Sequence, residues 1–285
     1  MGLKSLTVDQ CDLSSSSQIF ANFVISLPSL KKLTISDCSG IYLDSLNYIG
    51  SKLGVTSIKH FIFSPTYSYY NTLIYDQQCD WNFANLESFV IRSKLVVIMK
   101  KCVKNILGIS SKSLKVLELI GDIDLGDNIS KKIIDNYPNL EVLALGRGCS
   151  KVNNNDFNKI CNNYGNLKEL EFHFSQEDEE NIFIIDKTER SVETLTLGLT
   201  KEISIKDLGL YFPKVRKLKV ILYFKPQSNK DFVDNIIDNL PQIEILEYQV
   251  PGKKMIKFLN QVNTAKAIFD LLIPLQNNLT IVPTN

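Results

Sequence analysis

Apolar residues recur along this chain in a short pattern, apolar-x-x-apolar-x-apolar, that returns from one end to the other. It occurs at Leu3, Leu6, Val8; Leu30, Leu33, Ile35; Ile58, Phe61, Phe63; Leu86, Phe89, Ile91; and Leu114, Leu117, Leu119. It continues at Leu140, Leu143, Leu145; Leu167, Leu170, Phe172; Val192, Leu195, Leu197; Val215, Leu218, Val220; and Ile243, Leu246, Tyr248. Successive copies begin 27, 28, 28, 28, 26, 27, 25, 23 and 28 residues apart. The last two apolar positions of each copy alternate as a short strand requires, and the residues before the next copy carry apolar side chains at helical spacing. Examples are Phe20, Phe23, Val24, Leu27; Ile129, Ile133, Ile134, Tyr137; Phe157, Ile160, Tyr164; and Phe232, Ile236, Ile237, Leu240. Each unit therefore reads as strand, loop, helix. Pro28, Pro138, Pro213 and Pro241 stand two residues ahead of a strand pattern, where a residue that cannot continue a helix belongs, and Gly165 punctuates a fifth copy.

A unit this small cannot bury its own apolar face, so neighbours must stack. The expected fold class is α/β: a right-handed curved solenoid of about ten strand-loop-helix units, with a parallel inner sheet and outer helices. It is expected to form one domain over 1–285, with repeats to about residue 250 and a cap over 251–285. Within the cap, 253–272 reads as helix and Leu279–Ile281 as a short strand. The segment Pro65–Phe83, with Tyr67, Tyr69, Tyr70, Tyr75 and Trp81, is the least helical linker. Its aromatics are expected to replace the missing helix as outer packing, with an exposed binding loop as the alternative.

Composition narrows the function. The chain has 285 residues, 44% of them apolar, and 32 basic against 31 acidic residues for a net charge of +1. That is enough apolar material for a substantial core and no general field for nucleic acid or an anionic membrane. No stretch approaches the roughly 20 apolar residues of a membrane helix, and Met1–Leu6 lacks an apolar signal core. Six cysteines without a C-x-x-C pair fit reduced thiols in the cytoplasm or nucleus.

Chemistry is sparse. His60 and His173 are the two histidines, and neither has a metal-ligand spacing to Cys, Asp or another His. Phosphate-cradling and nucleophile-elbow motifs do not occur. The expectation is a protein that is not an enzyme and uses no cofactor and no metal. Both histidines fall on inner-face strand positions, as exposed polar residues or as binding contacts. The run Glu177–Glu180 reads as a solvated loop, and Lys100, Lys101, Lys104, Lys112 and Lys115 as the wet outer face of the fourth repeat.

With this period and these outer helices, the chain resembles the leucine-rich repeat superfamily over nearly all of its length. In that family the third residue after the last strand position is usually Asn or Cys, which hydrogen-bonds backbone in the turn. Cys11 and Cys38 occupy that position, whereas other copies place Thr66, Lys94, Asp122, Gly148 (with Cys149 next to it), Ser175 or Thr200 there. The subtype it is most similar to is the cysteine-containing repeat of F-box and leucine-rich-repeat proteins. The resemblance implies a non-enzymatic recognition scaffold, in that subtype the substrate-binding region of a ubiquitin-ligase receptor. No F-box is expected within 1–285, where the first strand pattern starts at Leu3; contact with ligase components would then need an upstream region, and the first repeat is expected to lack a polar cap. The alternative is a regulatory array of the GTPase-activating or inhibitor kind, for which none of Arg92, Arg147, Arg190 and Arg216 stands out as catalytic.

The expected binding face is the concave one, read from the outward strand positions. Apolar residues gather there at Ile62, Val90, Val116, Val142 and Ala144, with Glu118 among them, followed by Glu169 and Glu171 and then by Lys217 and Lys219. An exposed apolar patch bordered by charge points to a protein contact. The competing explanation is that Val and Ile merely suit strands. The expected partner is a protein, with no membrane and no nucleic acid.

Overall fold

A computed structural model describes residues 2–41, 43–64, 81–92, 107–121, 128–146, 153–174, 191–200, 208–226, 228–253 and 255–259. The chain is α/β and divides into two compact units, Met1–Val152 and Asn153–Asn285.

In the first unit six strands lie side by side in chain order, all parallel: β1 (Ser5–Asp9), β2 (Lys32–Ser36), β3 (His60–Ser64), β4 (Ser88–Arg92), β5 (Val116–Ile120) and β6 (Val142–Leu145). Pairing is in register with the sequence pattern, so that like positions stack. Leu6, Leu33, Phe61, Phe89, Leu117 and Leu143 form one row, and Val8, Ile35, Phe63, Ile91, Leu119 and Leu145 the next. From β2 onward both rows are buried. Between strands run α1 (Ser17–Ile25), α2 (Leu43–Lys52) and α3 (Ile129–Asn136), which send Ala21, Val24, Leu46, Ile49, Ile129 and Ile133 into the same core. Phe23, by contrast, stands exposed on α1.

Ahead of β4 the described residues 81–87 form no helix, and aromatic side chains pack there. Trp81 and Phe83 are buried; Trp81 meets Phe61 and Phe89 edge-on at centroid distances of 5.6 and 5.5 Å, and its indole N–H donates to Asn47 Oδ1 at 3.0 Å. The outer-packing expectation thus holds for these two rings, while Tyr67, Tyr69, Tyr70 and Tyr75 lie outside the described residues. So do Glu177–Glu180, Lys100, Lys101, Lys104 and Leu279–Ile281.

In the second unit β7 (Glu169–His173), β8 (Thr194–Leu199), β9 (Lys217–Leu222) and β10 (Ile245–Gln249) are again parallel and in chain order. Their outer elements are α4 (Asn154–Asn163), α5 (Leu208–Tyr211) and α6 (Asn229–Asn239). Asn153 caps α4 by accepting from the Asp156 N–H at 3.0 Å, and Ser228 caps α6 by accepting from the Asp231 N–H at 3.2 Å. Phe157, Ile160, Phe212, Phe232 and Ile236 are buried beside the strand rows.

The segment after β10 departs from the helix expected over 253–272. Ile256–Leu259 is a strand, β11, that pairs antiparallel with β10, Tyr248 opposite Ile256 and Ile245 opposite Leu259. The reason is local. Pro251-Gly252 begins a tight reversal, Gly252 takes a φ of +71° that favours glycine, and the returning chain satisfies the otherwise open edge of β10.

The helix-to-strand turns follow the prolines. Leu27–Leu30, Phe212–Val215 and Leu240–Ile243 each close with a backbone bond from the fourth N–H to the first carbonyl, at 3.3, 3.2 and 3.1 Å, with proline second in the turn. Phe83–Leu86 closes the same way without proline, at 3.0 Å. On the strand-to-loop side, Gln10 and Asp37 hold left-handed φ values of 52° and 49° immediately before Cys11 and Cys38. Cys38 is buried, with its thiol 3.2 Å from the Ser36 carbonyl and 3.5 Å from that of Val8 in the preceding copy. Burial pushes this thiol above the ordinary cysteine range. Cys11, on the first copy, is exposed and meets the Asp9 carbonyl at 3.2 Å.

Candidate functional site

Every strand of a parallel ladder has a second face, and here it is the one turned away from the buried rows. In the first unit that face is three residues deep. One column runs Ser5, Lys32, His60, Ser88, Val116, Val142; the next Thr7, Thr34, Ile62, Val90, Glu118, Ala144; the third Asp9, Ser36, Ser64, Arg92, Ile120. The ladder therefore brings Ile62, Val90, Val116, Glu118, Val142 and Ala144 together on four adjacent strands. Ile62, Val116, Val142 and Ile120 are half-buried, as apolar side chains on an open face should be.

Val90 and Ala144 differ from the expectation of an exposed patch. They retain 3% and 5% of their surface. Alternation gives the direction of a side chain, but its neighbours decide how much of it water reaches. Val90 sits between Ile62 and Glu118 in register, and Arg92 lies diagonally across Glu118, donating from Nε at 2.9 Å and from Nη2 at 2.5 Å to Oε2. The two-donor contact fixes Glu118 beside the apolar group, so that this acid is already partnered. Arg92 was not legible as part of the face, since the motif ends one residue before it.

The second unit presents a polar face. Glu169, Thr194, Lys217 and Ile245 share one column; Glu171, Thr196, Lys219 and Glu247 share another. The acids of β7 and the lysines of β9 are thus separated by the threonines of β8. Lys217 lies 3.8 Å from Glu247, while Glu169 is exposed and Lys219 half-buried.

Glu171 belongs to a network that the sequence did not reveal. Its Oε1 is 2.8 Å from His173 Nε2, and His173 Nδ1 is 2.6 Å from the Tyr223 hydroxyl. A neutral ring protonated at Nε2 satisfies both contacts, donating to the carboxylate and accepting from the phenol. His173 keeps 7% of its surface, so it is neither the exposed polar residue nor the free binding contact expected; His60 is half-buried. The ring fits because Gly198 faces it from β8: a Cβ there would stand 2.1 Å from Nδ1. Tyr223 follows β9, fifty residues after His173, so only the stacking of copies joins the three groups.

Two further columns tie neighbouring copies together, and both lie just ahead of the strands. The residue before the first apolar position is a small polar one that reaches back to the preceding copy. Ser57 donates to the Pro28 carbonyl at 2.8 Å, Asn85 to that of Gly54 at 2.6 Å, Asn139 to that of Lys112 at 2.8 Å, and Ser191 to that of Gly165 at 2.8 Å. The residue after it is charged: Lys59 pairs with Glu87, Lys115 with Glu141 at 3.1 Å, and Arg216 with Glu244 at 2.6 Å. The Lys59 ammonium, donating to Glu87, holds that carboxyl below its usual range. Both columns repeat at the period of the motif, a signal available in the sequence but masked by attention to apolar positions.

Among the described residues no group of three His, Cys, Asp or Glu side chains is placed to hold a metal ion, and no helix is long and apolar enough to cross a membrane. Comparison with known proteins adds no identity: no protein-family model matches the chain, and no curated protein matches it in sequence.

Proposed function

We propose that each unit is a run of a leucine-rich repeat solenoid of the cysteine-containing kind, and that the protein is a non-enzymatic recognition scaffold. The repeat reading is supported by in-register stacking of one motif per strand and by the turn at Cys38, whose buried thiol meets backbone carbonyls of two copies. The observation that carries the recognition reading is the set of apolar side chains Ile62, Val116, Ile120 and Val142, half-buried on β3, β5 and β6 with Val90 of β4 between them, on the face turned away from the buried rows. Aliphatic side chains left partly wet on a rigid sheet are what a protein partner desolvates. Holding a substrate for a ubiquitin ligase, as F-box leucine-rich-repeat proteins do, is the specific form of this reading that the repeat type favours.

Affinity purification from the native cell tests it, with the wild-type chain and Ile62→Asp/Val142→Asp as baits, followed by direct binding of whatever purified protein is retained. If these side chains are central to the contact, the paired substitution should cost on the order of 2 kcal/mol or more of binding. Undiminished binding by a correctly folded double variant would remove this face from consideration.

A further inference from the structure

The charged column ahead of the strands has a sign rule, and the rule breaks at one place. In the first unit this column runs Lys4, Lys31, Lys59, Glu87, Lys115, Glu141, each residue linked to the preceding one by a backbone bond of 2.8 Å. From Lys59 onward the signs alternate, with Lys59 pairing Glu87 and Lys115 pairing Glu141. The second unit keeps the alternation through Lys168, Glu193, Arg216 and Glu244. At the β1 end, however, Lys4, Lys31 and Lys59 follow one another, and Lys32 adds a fourth cation beside Lys31. Like charges on neighbouring strands repel, and among the described residues Lys4, Lys31 and Lys32 have no acidic partner.

The same end of the ladder is open in two other respects. Lys4 and Gln10 direct backbone groups to the β2 side, which places those of Ser5, Thr7 and Asp9 on the opposite side, where no described strand receives them. The apolar row is also uncovered: Leu6 and Val8 are only half-buried, while Leu33 and Ile35, one strand inward, are fully buried. Leu3, just ahead of β1, and Ile19 and Phe23, on α1, are 47%, 71% and 49% exposed. Among the described residues, an edge without a partner strand, a half-covered apolar row and cations without acidic partners thus coincide at β1.

We propose that this edge binds an extended segment of a partner protein, which adds as a parallel strand outside β1 and carries an acidic residue two positions ahead of an apolar-x-apolar pair. Strand addition supplies backbone partners for Ser5, Thr7 and Asp9, and the apolar pair covers Leu6 and Val8. The acid continues the alternation by lying against Lys4, as Glu87 lies against Lys59. A second copy of the chain fits less well. Two-fold pairing about Thr7 would be antiparallel, would set Lys4 opposite Gln10, and would leave the lysines uncompensated. This edge is distinct from the β3–β6 face, so either proposal can fail without the other.

The probe is a fluorescein-labelled peptide copying residues 86–92, whose Glu87 falls beside Lys4 and whose Arg92 falls beside Asp9 in the proposed register. Fluorescence anisotropy with the whole chain should show saturable binding, weakened at least about tenfold by Glu87→Lys in the peptide and weakened by salt. The protein variant Lys4→Glu/Lys31→Glu should prefer the charge-reversed peptide. Thr7→Pro, which removes an outward N–H and no bond to β2, should abolish binding of both. Should Thr7→Pro fail to fold by circular dichroism, the exposed charge variants decide alone. Absence of saturable binding, binding indifferent to the sign of the peptide charge, or a self-association that Thr7→Pro abolishes overturns the proposal.

Discussion

The sheet faces of the two units are built on ladders of the same kind and filled in opposite ways. In the first unit the face gathers Ile62, Val116, Ile120 and Val142, half-buried, around Val90 and the Arg92–Glu118 clamp. In the second it carries Glu169, Thr194, Thr196, Lys217 and Lys219, and turns its most buried ionisable side chain, His173, into a hydrogen-bonded bridge between Glu171 and Tyr223. The buried rows beneath are alike in both, all apolar and stacked like on like. The repeat therefore constrains one face for stability and leaves the other free to vary, and it is on the free face that the units differ.

Four substitutions probe that contrast. The largest effect is expected below the face: Leu117→Ala removes a fully buried row residue and should cost about 2–5 kcal/mol in chemical denaturation, with the cavity adding to the lost transfer energy. On the face of the first unit, Val90→Asp should cost about 2 kcal/mol or more because it forces a carboxylate into a covered position beside Glu118. Val142→Asp, at a half-buried position, should leave the melting temperature nearly unchanged. Equal destabilisation by the two would mean that this face is core throughout. In the second unit, His173→Leu strips partners from Glu171 and Tyr223 and should cost about 1–3 kcal/mol; a loss no greater than that of an ordinary surface change would show the network to be dispensable.

A small, pH-dependent effect is expected at the charged column. Glu87 has its carboxyl pKa held down by Lys59 in the folded chain, below its unfolded value of about 4.3. Its contribution is therefore present above that value and lost as pH falls through the lowered one. Glu87→Gln should cost less than about 1 kcal/mol near neutrality, and the difference from wild type should vanish in acid denaturation profiles. A difference that grows on acidification would assign the stabilisation to another group.

Much of this was legible in the motif. Spacing located the ten parallel strands among the described residues, and Pro28, Pro213 and Pro241 marked the turns because a residue without an N–H has few other places in such a unit. The segment after Val250 was misread as helix, since its apolar spacing ignored the reversal at Pro251-Gly252 and the demand of the β10 edge for a partner. The face was half legible. Alternation named Ile62, Val116 and Val142 as outward, yet gave Val90 and Ala144 the same standing although both are buried. His173 and Tyr223 carried no local signal of each other at all.

What the sequence determined by itself is the repeat: which residues alternate, where helices must stop, and therefore which row of each strand is buried. Those are consequences of backbone geometry and side-chain polarity acting over a few residues. What only the tertiary structure decided is everything that depends on adjacency between copies. The covering of Val90, the clamp of Arg92 on Glu118, the seat of His173 over Gly198 and the run of unmatched lysines beside the open edge of β1 are such features. Each joins residues more than twenty positions apart in the chain, across a spacing of about 4.8 Å between strands. Burial, pairing and charge balance are properties of that short distance.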